Sequence, residues 1–281
     1  MRRRRPRDRA YRTATEMIQH RWELTLLIWA GAASLQAVLY LIQRRTRDAT
    51  AVDAGWGFSL AAAAVFCAVV GPGASSHRIL IGILGAAENG RVALVVVRRF
   101  GKGEDGRYRD LRERWAARGR EQLTFAIFYQ AQGALAPLLS VPFVLAVFDR
   151  HHGLAPVEWA GAALWVAAAA LELVADRQLT RFLADPANRG KTLLAGLWRY
   201  SRHPNYFFQT LTWLAYGLIA LAAPWGYLGL FAFALILFLV LFVTGIPPIE
   251  ARALRSRGED FRRYQQETSA FVPWFPRGKR P

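Results

Sequence analysis

The 281-residue chain has a single cysteine, Cys67, and only five histidines. One cysteine excludes a framework of disulfides within the chain, so cysteine usage says nothing about the redox compartment. The adjacent His151 and His152 have no further ligand types at metal-binding spacing. We therefore predict neither a disulfide nor a metal site.

Acidic residues are also scarce, with 20 Asp and Glu against 37 Lys and Arg, which leaves a formal net charge of +17. Such an excess is typical of proteins that meet nucleic acid, anionic lipid or a phosphorylated ligand. No nucleic-acid-binding motif accompanies the basic residues, and most aromatic residues lie in apolar segments. We predict no nucleic-acid partner, which leaves membrane lipid and a phosphorylated ligand.

Long apolar runs dominate the rest of the chain, of which 53% is hydrophobic. About 20 apolar residues in a helix are enough to cross a bilayer. Runs of that size recur with basic segments between them, which predicts an all-α, polytopic membrane helical bundle of about seven transmembrane helices. The predicted spans are residues 24–42, 51–70, 79–97, 123–148, 157–174, 206–222 and 227–246.

The third span contains Glu88, Asn89 and Arg91. Each is costly in lipid, so these side chains must face other helices or a water-filled cavity if the segment spans the membrane.

Basic residues are distributed unevenly between the two sides that seven spans define. One side, with the C-terminus, carries 26 Lys and Arg, and the other carries 10. The positive-inside rule places the C-terminus in the cytoplasm. Because the run Arg2 to Arg5 should resist translocation, we consider a start at Met17 as an alternative. We predict a basic tail over 1–21, one membrane domain over 22–276 and a basic tail over 277–281.

A polar segment between the fifth and sixth spans is the best candidate for a site. Pro204 suits the first position of a helix, and the free N–H groups and positive dipole end of that helix favour an anion. Arg199, Arg202 and His203 supply positive charge and donors at the same point, and Lys191 precedes them. A basic loop that meets lipid headgroups is an equal alternative.

Two further patterns accompany this segment. Glu172 and Asp176, four residues apart on the fifth span, share a helical face and either bind ligand hydroxyls or pair with an arginine. A stripe on one face of the sixth span is predicted to point into the bundle. It consists of Tyr206, Gln209, Trp213 and Tyr216.

The loop after the third span contains Gly101, Gly103 and Gly106 at the spacing of a dinucleotide-binding fingerprint. That motif requires a strand before it and a βαβ unit around it, and neither is predicted here. We reject the fingerprint but keep Arg107 and Tyr108 as cytosolic ligand contacts.

The run over residues 200–207, Tyr-Ser-Arg-His-Pro-Asn-Tyr-Phe, resembles the steroid 5α-reductase-like membrane proteins. Asp176 before it, and Glu250 and Tyr264 after it, support the likeness, which covers about 53–276. The end of the chain, at 268–274, and the stretch 104–108 are similar to an uncharacterised bacterial branch of that superfamily. Isoprenylcysteine carboxyl methyltransferases are related to it.

The resemblance implies a membrane enzyme that holds NADPH in a cavity open to the cytosol. It would reduce a conjugated carbon–carbon double bond of a lipophilic, steroid-like or isoprenoid-like substrate that enters from the bilayer. Two alternatives are an S-adenosylmethionine-dependent methyltransferase of the isoprenylcysteine or phospholipid type, and a non-catalytic relative. The predicted cofactor-binding residues are Arg107, Tyr108, Asp176, Lys191, Arg199, Arg202, His203, Asn205, Tyr206, Glu250 and Tyr264.

The predicted catalytic residues are Glu88, Tyr206 and Gln209. The superfamily motif usually continues with glycine and glutamate, where this chain has Phe208 and Gln209, so the carboxylate is replaced by an amide that can still bind a nicotinamide carboxamide. Asp53 and Glu88 are the nearest matches to the acid that polarises the substrate carbonyl in the steroid reductases. A structural pair of Glu88 with Arg91 is the competing interpretation.

Overall fold

The computed structural model describes residues 20–98 and 103–277. Predictions on 1–19, 99–102 and 278–281 lie outside the described residues. They are most of the basic N-terminal tail with its alternative start, part of the glycine loop, and most of the basic C-terminal tail. Within the described ranges the chain is helical and has no strand, so the predicted all-α class is confirmed.

The helices follow the apolar runs of the sequence closely. A π-helical turn at Leu239–Val243 follows the helix Leu230–Phe238 and precedes the helix that begins at Ile246. The helices are α1 Arg21–Thr46, α2 Ala51–Val70, α3 Ser75–Val97, α4 Gly106–Ala116, α5 Glu121–Leu139, α6 Val141–Ala146, α7 Pro156–Ala184, α8 Pro204–Ala220, α9 Leu230–Phe238, α10 Ile246–Arg257 and α11 Glu259–Glu267.

Six helical segments are long and apolar enough to cross a membrane: Arg21–Thr46, Ala51–Val70, Ser75–Val97, Glu121–Ala146, Pro156–Ala184 and Gly226–Arg257. They contain five of the seven predicted spans completely and a sixth, 123–148, up to Ala146. The remaining one falls on α8, whose 17 residues give a length of about 25 Å, at the short end of what a bilayer requires. Exposed apolar side chains such as Leu26, Trp29 and Ile83 cover the helices, as expected of surfaces that face lipid rather than water.

The chain forms two compact units, Met1–Trp159 with Tyr216–Ala232, and Ala160–Ala215 with Phe233–Pro281. In the first unit, small residues let α2 and α3 approach closely. A Cβ atom on Gly82 would lie 2.5 Å from that of Ala68, and one on Gly85 would lie 2.6 Å from that of Ala64. We call this contact between small residues the α2–α3 seam. Such seams are typical of membrane helices, because there is no hydrophobic driving force between helices in lipid and close van der Waals packing takes its place.

The polar residues of α3 lie inside the first unit, as predicted. Glu88 and Asn89 are buried, the Asn89 amide donates to the Gly85 carbonyl oxygen at 2.8 Å, and Arg91 donates to Glu88 at 2.7 Å. The structural pair that competed with a catalytic role of Glu88 is therefore present. The catalytic role itself stays a prediction.

In the second unit, the residues after α11 lie along the loop that precedes α8. The Arg202 N–H donates to the Ser269 carbonyl and the Trp274 N–H to the Tyr200 carbonyl, both at 2.9 Å. The Ser201 hydroxyl donates to the Phe271 carbonyl at 2.7 Å. We call residues 268–277 the tail strap, because these bonds fasten them to the loop.

We predict that Gly85→Ala destabilises the protein and that Gly90→Ala on the same helix does not. The new methyl group on residue 85 meets Ala64, which cannot rotate away, whereas nothing lies within 4 Å of a Cβ on Gly90. Overpacking typically costs about 1–3 kcal/mol, while alanine in a helix gains up to about 1 kcal/mol over glycine. Thermal unfolding in mild detergent measures both, and equal midpoints would contradict the proposed seam.

Candidate functional site

Most of the predicted cofactor residues lie in the second unit, and Glu250 on α10 is at their centre. Its carboxylate accepts from Arg202 Nε at 2.7 Å and Nη2 at 3.3 Å, and from the Gln265 amide at 2.7 Å. The His203 Nε2 atom lies 3.1 Å from the same carboxylate. We call Arg202, His203, Glu250 and Gln265 the Glu250 cluster. Three donor side chains from two segments thus converge on one anion.

The remaining nitrogen of Arg202 is also engaged. Its Nη1 donates to the carbonyl oxygens of Gln265 at 3.0 Å and Thr268 at 2.6 Å. The guanidinium therefore holds Glu250 on one side and the start of the tail strap on the other. Arg202 is therefore a positioning residue within the fold. Its predicted contact with a cofactor stays a prediction.

Tyr264 on α11 fixes the same loop from behind. Its buried hydroxyl group lies 2.5 Å from the Trp198 carbonyl oxygen and 3.2 Å from that of Ser201. Both acceptors belong to the segment that leads into α8. The side chain thus fixes the shape of the loop, and its predicted contact with a cofactor stays a prediction.

The C-terminal half of α7 holds the loop and the first turn of α8 from the other direction. The Asn205 amide donates to Asp176 at 3.1 Å, so two predicted site residues meet. The Leu197 N–H donates to Gln178 Oε1 at 3.0 Å, and the Trp198 indole N–H to the Ala175 carbonyl at 3.0 Å.

The start of α8 agrees with its prediction, since the helix begins at Pro204. Tyr206 in the first turn stacks on the His203 ring, with centroids 5.8 Å apart and planes 11° apart. Gln209, one turn further, is half-buried on the same helix. Lys191 and Arg199 are exposed, so their charges are accessible to an anion from solvent.

A cavity of about 450 Å³ opens against the tail strap. Arg202 and Gln265 line it together with Trp274 and Arg277. Of the predicted cofactor residues, only Arg202 reaches it. The cavity thus offers two arginines and an aromatic ring next to the Glu250 cluster.

The other predicted contacts, Arg107 and Tyr108, lie in the first unit, where both meet Asp53 of α2. Arg107 Nη2 donates to the Asp53 carboxylate at 2.9 Å, and the Tyr108 hydroxyl donates to the same carboxylate at 2.6 Å. Burial, and then the Asp53 charge, raise the pKa of Tyr108 well above its ordinary value. The phenol therefore remains a protonated donor at any physiological pH.

Sequence reasoning missed several supporting residues. Gln265 belongs to no predicted motif, although its amide donates to Glu250 at 2.7 Å and so joins α11 to α10. In the first unit, Arg112 on α4 donates to Glu104 at 2.7 Å and to Glu121 at 2.5 Å. Only the basic and acidic residues of α4, spaced along an exposed helix, gave any signal of this network.

A family model described as "Protein of unknown function (DUF1295)" matches residues 39–268. The chain belongs to the DUF1295 family. No curated protein and no solved structure matches it. The DUF1295 match contains both the Glu250 cluster and the Asp53 pair with Tyr108, while most of the tail strap lies beyond it.

We predict that Glu250→Gln in this DUF1295 protein lowers the free energy of unfolding by about 3 kcal/mol, because breaking a largely buried ion pair leaves a charge without its partner. Glu259→Gln is the matched control. Glu259 also pairs with an arginine, Arg262, but both side chains are exposed, and such pairs contribute about 1 kcal/mol or less. Thermal or denaturant unfolding in detergent measures both, and an equally small loss for Glu250→Gln would show that the cluster does not hold the unit.

We also predict that Tyr108→Phe destabilises the protein by about 1.5–3 kcal/mol, the usual worth of a hydrogen bond to a charged group. Tyr227→Phe, which removes a hydroxyl group from an exposed side chain, should change stability by less than about 0.5 kcal/mol. Unfolding measured on the two variants side by side tests this. Similar midpoints for both variants would mean that the hydrogen bond from Tyr108 to Asp53 does not stabilise the protein.

Proposed function

We propose that this DUF1295 protein is an integral membrane oxidoreductase of the steroid 5α-reductase-like superfamily. It uses NADPH to reduce a conjugated carbon–carbon double bond of a lipophilic substrate that enters from the bilayer. The observation that carries the proposal is the loop before α8 together with the first turn of that helix, which Glu250, Asp176 and Tyr264 hold from three different helices. A loop so fastened is suited to bind a ligand with little reorganisation.

The charge of this loop supports a phosphorylated cofactor. The start of α8 presents the positive end of its dipole, and Lys191 and Arg199 leave their charges exposed on the same segment. NADPH carries a further phosphate group compared with NADH, which additional cations would favour. The neighbouring cavity adds the charge of Arg277, whereas the charge of Arg202 is paired with Glu250.

The side chains of α8 suit a nicotinamide. Asn205 and Gln209 carry amides that donate and accept hydrogen bonds, as a carboxamide requires. Phe208, which replaces the usual glycine, is buried and packs on Phe207 at a centroid distance of 5.3 Å, so the protein interior accommodates its ring. Once bound, NADPH supplies the hydride, and the protein supplies orientation and a proton donor.

A second candidate function is methyl transfer from S-adenosylmethionine. The contacts of Arg202 and His203 with Glu250, and of Tyr264 with the loop, suit the methyltransferase motif equally well. The bond between Asp176 and Asn205 favours the reductase, because both residues belong to the longer reductase-like pattern. The complete engagement of Arg202 within the protein favours a non-catalytic relative.

The proposed location is the bacterial inner membrane, with the C-terminus and the cofactor site in the cytoplasm. The excess of basic residues on the side of the C-terminus supports this orientation.

We predict that NADPH raises the thermal unfolding midpoint of the purified protein and that NADH and S-adenosylmethionine do not, because a ligand that binds only the native state stabilises it. In Asn205→Ala, the NADPH concentration needed for a given shift should rise about tenfold, as expected from the loss of one or two hydrogen bonds. Arg263→Ala, an exposed arginine of α11, is the control and should leave the shift unchanged.

A shift with S-adenosylmethionine in place of NADPH would establish the methyltransferase alternative. No shift with any of the three ligands would overturn the reductase proposal and favour the non-catalytic relative.

A further inference from the structure

A second polar cluster lies in the first unit and has no part in the proposed function. His77 on α3, Asp149 in the loop after α6, and Glu158 on α7 are all buried, with 1%, 2% and 1% of their surface exposed. Ionisable side chains are almost never buried to this degree unless they are paired or coordinate a metal. We call these three residues the His77 cluster.

The geometry of the His77 cluster is close to that of a metal site. His77 Nδ1 lies 2.6 Å from Glu158 Oε1, and His77 Nε2 lies 3.9 Å from Asp149 Oδ2. One ligand atom from each residue can be chosen so that all three lie within 4.8 Å of one another. In a tetrahedral zinc site with bonds of about 2.0–2.2 Å, ligand atoms lie roughly 3.4 Å apart. The His77 nitrogen that binds the ion would exchange its present contact for the metal: Nδ1 now contacts Glu158 at 2.6 Å, and Nε2 contacts the His151 carbonyl oxygen at 2.9 Å. The three ligand atoms would also have to move closer together.

The charge of the cluster calls for a cation. Two carboxylates and one imidazole leave the buried cluster with a net negative charge in either protonation state of His77, and a buried charge without a counter-ion is costly. The nearby arginines have other bonds: Arg78 donates to the Ala68 and Val69 carbonyls, and Arg21 to the Pro224 carbonyl. A divalent ion would neutralise both carboxylates at once.

A route from solvent leads to the cluster. A cavity of about 360 Å³ is lined by Asp149 and His151, among others. The His151 ring is mostly exposed, yet its Nδ1 atom lies 2.8 Å from Asp149 Oδ1. The ring can therefore follow Asp149 toward a bound ion, and water from the cavity can fill any open position. Buried ligands with a solvent path are what a metal site needs.

We propose that His77, Asp149 and Glu158 bind a divalent transition-metal ion, with His151 as the fourth ligand. A mixed set of imidazole and carboxylate donors suits Zn²⁺ or Mn²⁺. The ion links the starts of α3 and α7 to the loop after α6. Direct bonds already join these segments, since the Gly73 and Ala74 N–H groups donate to the Val147 and Asp149 carbonyls, both at 2.8 Å, and the Ala155 N–H donates to Glu158 at 2.8 Å.

The site lies on the side that the charge distribution predicts to be outside the cell. Such an ion fastens the external ends of the spans and takes no part in cofactor binding. The proposal is therefore independent of the reductase proposal, and either can fail without the other.

The test uses the full-length protein in detergent, with its affinity tag removed because a histidine tag binds metals. After treatment with a chelator and removal of the chelator, Zn²⁺, Mn²⁺ or Mg²⁺ is added, the excess is washed out, and elemental analysis counts the bound ions. We expect about one Zn²⁺ or Mn²⁺ per chain, none of the Mg²⁺, and a higher unfolding midpoint with the bound ion.

Asp149→Asn and Glu158→Gln should lose stoichiometric binding, while His152→Ala, which alters the neighbouring histidine, should retain it. Because a variant of a buried residue can fail to fold, Co²⁺ added to the unaltered protein gives a second measurement. Visible absorption that Zn²⁺ abolishes would support the site. The proposal is overturned if the unaltered protein binds no ion in stoichiometric amount, or if both carboxylate variants fold and retain it. In either case the interpretation would be that a proton shared by His77 and Glu158 holds the cluster together.

Discussion

The Glu250 carboxylate is the anion on which the polar end of the second unit depends. Arg202, His203 and Gln265 all direct donors at it. Arg202 also donates to the carbonyl of Thr268, which ties the tail strap to the same cluster. If the carboxylate were lost, the guanidinium would be largely buried without its counter-charge. The helix that carries Glu250, the loop before α8 and the tail strap therefore depend on the same few bonds. This is how a loop rich in cations keeps one shape although its charges repel.

The basic residues of the loop before α8 differ in role because they differ in exposure. Arg202 is mostly buried and its nitrogens are engaged, so its charge shapes the protein. Lys191 and Arg199 are exposed on the same loop, so their charges remain accessible to a ligand. A short sequence segment thus combines a structural cation with two that can act on a solvent-borne anion. Exposure, rather than residue type, distinguishes the structural cation from the two that a ligand can reach.

The spans and the start of α8 could be predicted because their signals are local. An apolar run of about 20 residues is sufficient to define a span, and Pro204 marks the first residue of α8 because proline lacks the N–H that the first turn does not use. The pairing of Arg202 with Glu250 could not be predicted in the same way. The two residues lie 48 positions apart, and a motif that names both does not say that they touch. The motif alone therefore predicts a ligand contact for Arg202 and gives no sign of its bonds within the fold.

The His77 cluster shows the same limit more sharply. His77 and Glu158 are 81 positions apart, and each lies near the start of a long apolar helix, where a single polar residue looks like a surface group. His151 contacts Asp149, which is two residues away in the same loop, but His77 and Glu158 come from α3 and α7 and meet Asp149 only in the folded chain. In a membrane chain, polar residues at helix ends are free to find partners from distant segments because the apolar runs between them fix the ends at similar depths. Sites of this kind are consequently assembled by span length rather than by sequence spacing.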